Sequence, residues 1–214
     1  FLAGFTAEKR KKVRRERRRV AEAGITHRTL HGGDLDETLI NTVYALHAQT
    51  FARFGNLPYL NPDFFLRLAR SMPRALVVEL ALLHGEIVAC SVSLRSDDTL
   101  YGRYWGASGD HHSLHFETCF YRGIEYCIRE RLARFEPGTQ GEHKLLRGFA
   151  PAPVWSVHEI ADPRFAAAIR DWLKRERMAR RAYIRAAADH LPFRRADIPA
   201  RLAANVRDCL AAED

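Results

Sequence analysis

No run of about eighteen apolar residues occurs anywhere in the chain, so no segment reads as a membrane-spanning helix. The opening residues also lack the basic, apolar and small-residue succession of a secretory signal. The four cysteines, Cys90, Cys119, Cys127 and Cys209, include no Cys-x-x-Cys pair. Cys119 and Cys127 fall on one predicted helix, too far apart along its axis for a disulfide. A reducing cytoplasm is therefore the expected setting. His111 and His115 have helical i, i+4 spacing, but they sit at a loop–helix junction without a nearby Cys or acid, so no metal is expected. No internal repeat is visible.

What the chain does have is apolar bulk and positive charge. Hydrophobic residues make up 47% of the 214, enough to build one sizeable domain. The first residue is Phe rather than Met, and the expectation is a C-terminal portion whose N-terminal half is missing. The net charge of +8 is uneven: Lys9 to Arg19 holds nine Lys or Arg against one Glu. Such a block suits a polyanion. A second basic cluster, Arg170 to Arg185, reads as a solvated helix face, with Trp172 and Tyr183 as packing residues.

Periodicity divides the chain. Thr6 opens a helix that runs to about Glu22 and stops at Gly24; Ile25 to His31 alternates as a strand. Asp34 and Asp36 introduce a second helix through Phe54, and Asn61-Pro62 a third, to about Met72. Three strands follow, Ala75–Leu83, Ile87–Arg95 and Leu100–Ala107, joined by tight turns and read as an antiparallel meander. Leu114 to Phe135 is an amphipathic helix with Phe116, Phe120, Ile124, Cys127 and Leu132 inward. A short strand near Phe135, a strand around Trp155 to Ile160 and a long helix from Arg164 to about His190 complete the order. The expected division is a basic helix over 1–24, an α/β domain over 25–190 and a tail over 191–214.

Phe135 to Phe149 is the densest polar stretch. It carries two acids, a His, a Lys, an Arg and a Gln with three glycines, between apolar patches. A core has no use for that many titratable groups, whereas a loop that positions chemistry does. The element order suits an acyltransferase fold of the GNAT type, a mixed, mostly antiparallel sheet flanked by helices.

The motifs Gly102-Arg103-Tyr104-Trp105-Gly106, Leu114-His115-Phe116-Glu117 with Cys119, Tyr121 and Ile124, and Phe135-Glu136-Pro137-Gly138 followed by Gln140-Gly141-Glu142-His143-Lys144, Arg147-Gly148 and Ser156 to His158 resemble a FemAB-like family. That family is described as predicted N-acyltransferases or peptidoglycan biosynthesis and recognition proteins. A looser similarity to Fem-type aminoacyl transferases takes in the basic helix and the stretch with Thr50, Arg53 and Phe54. The resemblance implies a bacterial enzyme that moves an acyl or aminoacyl group from a CoA thioester or an aminoacyl-tRNA to an amine, such as a cell-wall precursor. It implies no tightly bound cofactor. The fold admits an acyl donor where its sheet splays. In members that use acetyl-CoA, a glycine-rich turn binds the pyrophosphate. Here Ala107 to Leu114 has one glycine and an acid, a departure that weakens acetyl-CoA as donor and favours aminoacyl-tRNA bound through residues 8–19.

N-acyl transfer needs a base for the attacking amine and donors for the oxyanion. Glu142, His143, Lys144 and Glu117 are the candidate catalytic residues, with Glu142 and Lys144 sharing one face of an extended segment. Arg103, Tyr104, Trp105, His115, Tyr121, Gln140, Arg147 and His158 are candidates for substrate binding. Glu117, Tyr121 and Glu125 fall on one helix face, and Tyr104 should face away from Arg103 and Trp105. The alternative reading is a non-catalytic module of the same fold that binds a cell-wall precursor or nucleic acid.

Overall fold

The computed structural model describes residues 1–138 and 141–198. Among these, residues 12–138 form one compact unit, and residues 1–11 with 141–198 form another.

The first of these is built on a five-stranded sheet. β1 (Ile25–His31), β2 (Leu76–Leu83), β3 (Glu86–Arg95) and β4 (Thr99–Ala107) are successive antiparallel neighbours, and β5 (Arg134–Glu136) runs parallel to β4. Helix α1 (Ala7–Glu22) contributes its length from Lys12 on, and α2 (Glu37–Arg53) and α3 (Pro62–Ser71) lie between β1 and β2 in the chain. Local chemistry sets the starts: the Asp36 carboxylate accepts the Leu39 N–H at 2.8 Å, and the Asn61 side chain accepts the Phe64 N–H at 3.0 Å ahead of Pro62.

Alternation gives the sheet two different faces. On one, Leu30, Val78, Leu80, Cys90 and Val92 pack with Ile40, Val43 and Leu46 of α2 and Phe65 of α3. Here α2 lies directly on β4, because a Cβ on Gly106 would sit 2.2 Å from the Leu46 carbonyl carbon. Any side chain at that position would push the helix off the strand. The other face is apolar at its edges, with Ala81, Ala89, Ala107 and Leu114 at one side and Val77, Leu100 and Tyr126 at the other. Between them it is polar.

The helix predicted over 114–135 is shorter and broken in pitch. It runs as α4 (Leu114–Phe116), a π-helical turn (Glu117–Tyr121) and α5 (Arg122–Arg129). The wide turn shifts the inward register, so that Glu117, Thr118, Phe120, Tyr121, Tyr126 and Cys127 are buried while Phe116 and Ile124 are only half-buried. Leu132 lies beyond the helix end, partly buried against the Tyr126 and Cys127 cluster.

In the second unit, Phe1, Phe5 and Phe193 form an edge-to-face trio, and a bridge pairs Phe5 with Phe193. Gly148 closes a 3-10 helix (Glu142–Arg147) at a φ of 91° and lies so near the rings that a Cβ would stand 2.8 Å from Phe1. That helix corrects the extended segment expected there: with three residues per turn, Glu142 and Lys144 do not share a face. The strand expected around Trp155 to Ile160 is absent; the stretch is irregular and largely exposed. Long helix α6 (Pro163–Ala188) forms as predicted, capped by Asp162, which accepts the Arg164 and Phe165 N–H groups.

Candidate functional site

Strand register explains the polar strip of the sheet. Thr29 pairs with Glu79, Glu79 with Ser91, and Ser91 with Trp105, so a row of polar side chains crosses β1, β2 and β3 on one face. Glu79 is 6% exposed in a strand otherwise made of Leu, Val and Ala. Burying that charge is tolerable because it is paired: Arg122 Nε donates to it at 2.8 Å and Thr29 Oγ1 at 2.6 Å. Arg122 also reaches Glu125 at 3.1 Å, and Arg17 of α1 donates to Glu125 at 2.6 Å. Arg17 then grips both oxygens of buried Glu117, at 3.0 and 3.2 Å. One chain of alternating charge thus runs Glu79–Arg122–Glu125–Arg17–Glu117. Tyr121 donates to buried Glu16 beside it.

The electrostatics follow from burial and partners. Burial pushes the Glu117 carboxyl up and the Arg17 guanidinium draws it back, whereas Glu125, less buried, is held below its ordinary range by Arg17 and Arg122 despite its own desolvation. His27 Nε2 lies 3.1 Å from Thr118 Oγ1; burial, reinforced by Arg122 and Arg17, lowers its pKa to about 4. Burial raises the Cys90 and Cys127 thiols to about 12, which rules both out as thiolate nucleophiles at neutral pH. The pocket between strip and π-turn is lined by Thr29, Glu79, Ser91, Ser93, Thr118, Cys119 and Arg122, among others. Widening one turn of a helix to admit polar side chains is a feature that recurs at functional sites.

A second feature lies along β4. Its parallel pairing with β5 ends at Tyr101 and Glu136, and beyond that point β4 has no strand on its outer side among the described residues. The ladder with β3 slips there as well: Ser93 faces Gly102 while Val92 faces Tyr104, which leaves Arg103 as a bulge. Tyr104 turns toward α2 and α3 and meets His47 and Phe65, its hydroxyl 2.9 Å from that of exposed Tyr59. Trp105 turns the other way, onto His115, and Arg103 lies over the Tyr101 ring. Thr50 Oγ1 donates to the Trp105 carbonyl at 2.8 Å. The sheet therefore opens at Gly102, with an aromatic residue on either face of the opening.

In the second unit, Glu142, His143, Lys144 and Arg147 occupy the 3-10 turn. Arg147 is buried, and its Nη1 donates to the His143 carbonyl at 2.8 Å. Burial, with Arg147 and Lys144 adding to it, lowers the His143 pKa and so favours a neutral imidazole. His158 is exposed beside Ser156. Gln140 lies outside the described residues.

Of the predicted residues, the structure thus joins Glu117 and Tyr121 to α1, sets Tyr104, Trp105 and His115 around the β4 opening, and gathers Glu142 to Arg147 in one turn. Sequence reasoning did not single out Arg17, Glu79, Arg122 or Tyr59. Glu79 had a signal, a lone charge inside an apolar strand. Arg17 was camouflaged by the cations around it, although it sits midway between inward-facing Val13 and Val20.

A family model, FemAB_like, described as peptidoglycan biosynthesis/recognition, matches residues 1–195. No curated protein matches the chain. Among solved structures, L-PGS from Bacillus licheniformis superposes with a TM-score of 0.50 at 14% identity, over 64% of this chain and 44% of that one. A predicted acetyltransferase with acetyl-CoA from Clostridium acetobutylicum gives 0.49 at 12% identity, over 63% and 96%. An aminoglycoside acetyltransferase from an uncultured soil metagenomic sample, in complex with sisomicin, gives 0.47 at 13%, over 67% and 98%. The architecture, a mostly antiparallel sheet with a parallel fifth strand and helices on both faces, is the α/β fold of GNAT acyltransferases.

Proposed function

The chain belongs to the FemAB_like family of peptidoglycan biosynthesis/recognition, and from that membership we propose that it is an N-acyltransferase that acylates an amine of a cell-wall precursor. One observation carries the proposal: β4 loses its outer neighbour after Tyr101 and bulges at Arg103. An unpaired strand edge offers backbone N–H and C=O groups to an extended ligand. An activated acyl donor has amide or ester groups to match, and the same N–H groups suit the oxyanion that forms as the amine attacks. The new C–N bond replaces the C–S bond of a thioester or the C–O bond of an aminoacyl ester. The amine proton leaves to a base, and the departing thiolate or alkoxide takes up a proton. Glu117, the candidate catalytic residue in the unit that carries β4, is the proposed proton acceptor.

Aminoacyl-tRNA is the proposed donor, because Lys12, Arg14, Arg15, Arg18 and Arg19 form an exposed cationic face on α1 while Arg17 turns inward. The cytoplasm, where such donors are made, is the proposed location. A recognition module is the second reading, favoured by the engagement of buried Glu79 and Glu117 with arginines rather than with open space.

The test offers acetyl-CoA and alanyl-tRNA separately, with a muropeptide amine as acceptor, and reads the product by mass spectrometry. The proposal predicts acylated product from the tRNA donor and a fall of about a hundredfold or more in kcat for Glu117→Gln, circular dichroism confirming the fold. Muropeptide binding without product from either donor would favour the recognition module.

A further inference from the structure

Helix α6 carries an exposed amphipathic surface. It has eight Lys or Arg against Asp171 and Glu176, a surplus of six positive charges over 26 residues. Both acids are neutralised on the helix itself, Asp171 by Lys174 at 3.1 Å and Glu176 by Arg180 at 2.6 Å. Trp172 and Tyr183, expected to pack, are instead 48% and 44% exposed, and Phe165 is 57% exposed. At 3.6 residues per turn these three rings fall within about 20° of one another around the axis, and they span about 27 Å along it. Arg170, Lys174, Arg177 and Arg185, all exposed, occupy the opposite side of the same wheel. The irregular stretch before the helix, in the same unit, adds Val154, Trp155 and Val157, all exposed.

Aromatic rings on one side of a helix and cations on the other describe a helix that lies in a lipid interface. Rings sink to the headgroup level while the long Arg side chains reach anionic phosphates, their stems lying along the apolar boundary. We propose that α6 binds the surface of an anionic lipid membrane. Lipid is favoured over a protein groove by the form of the ridge. It is long and belongs to a helix with a large positive surplus, which a fluid anionic surface satisfies at any register. A protein partner would need an acidic trough of the same length. No helix among the described residues is long and apolar enough to cross a membrane, so the attachment is peripheral. The inference does not depend on the transferase reading.

Co-sedimentation of the 214-residue protein with vesicles tests it, using phosphatidylcholine alone and phosphatidylcholine with added phosphatidylglycerol. The expected result is pelleting with the anionic vesicles, weakened by salt and by about five-fold for each cation removed in Arg170→Gln and Arg177→Gln. Phe165→Ser with Trp172→Ser should abolish it, circular dichroism confirming the fold; should that variant unfold, the Arg→Gln pair decides. Equal pelleting with neutral vesicles, no pelleting, or variants that pellet like the parent would overturn the proposal. So would tRNA binding through the same arginines without vesicle binding, or a dimer that Phe165→Ser dissolves.

Discussion

His27 shows how a single side chain reports on the polar strip. It stands buried against Thr118 of the π-turn, and burial, with two guanidinium groups adding to it, holds its pKa at about 4 in the folded chain. An unfolded histidine titrates near 6.5. The fold therefore resists a proton that the unfolded chain accepts, and this contribution to stability is complete above pH 6.5 and drains away as the pH falls through 4. Urea denaturation across that window should show stability decreasing with acidity, and His27→Gln should flatten the slope; an unchanged slope would remove His27 as its cause. Legibility at this scale was uneven. Glu79 announces itself as one charge in an apolar strand, whereas only its spacing from Val13 and Val20 tells Arg17 apart from Arg18. Trp172 and Tyr183 read as packing residues because large aromatics are usually buried; on α6 both are exposed instead.

Among elements, α1 owes its position to Arg17, which ties the helix to Glu117 of the π-turn and Glu125 of α5. Removing one member of such a group strands the others in a low-dielectric site. Arg17→Met should cost about 3 kcal/mol, the lower end for breaking a buried pair because the Arg side chain is partly exposed. Arg17→Lys should recover little of it, since an ammonium cannot hold Glu117 with a planar fork. Equilibrium unfolding measures both, and a loss below about 1 kcal/mol would reduce the cluster to surface electrostatics. The element order was readable because its punctuation is chemical: Asp36, Asn61-Pro62 and Asp162-Pro163 start helices wherever they occur. The π-turn was not, because hydrophobic spacing over 114–135 fits an unbroken helix, and the turn is fixed by polar partners on β1 and β3. The strand expected at Trp155 to Ile160 failed for a related reason: alternation marks a strand only where a neighbouring strand is there to pair with it.

For the molecule as a whole, fold and family were carried by motifs spread over β4, the segmented helix that follows it and the charged stretch from Phe135 to Phe149, and the opening of β4 could be anticipated only through that resemblance. The bulge at Arg103 depends on where β3 and β4 slip past each other, which a single strand's sequence does not record. The central claim is that the open edge of β4 receives the acyl donor. Hydrogen exchange read by mass spectrometry, with and without aminoacyl-tRNA or acetyl-CoA, tests it directly on the 102–107 amides that face away from β3. A donor that supports turnover should slow exchange at those amides and leave β1 and β2 unchanged. A donor that supports turnover without slowing exchange between 102 and 107 would contradict it.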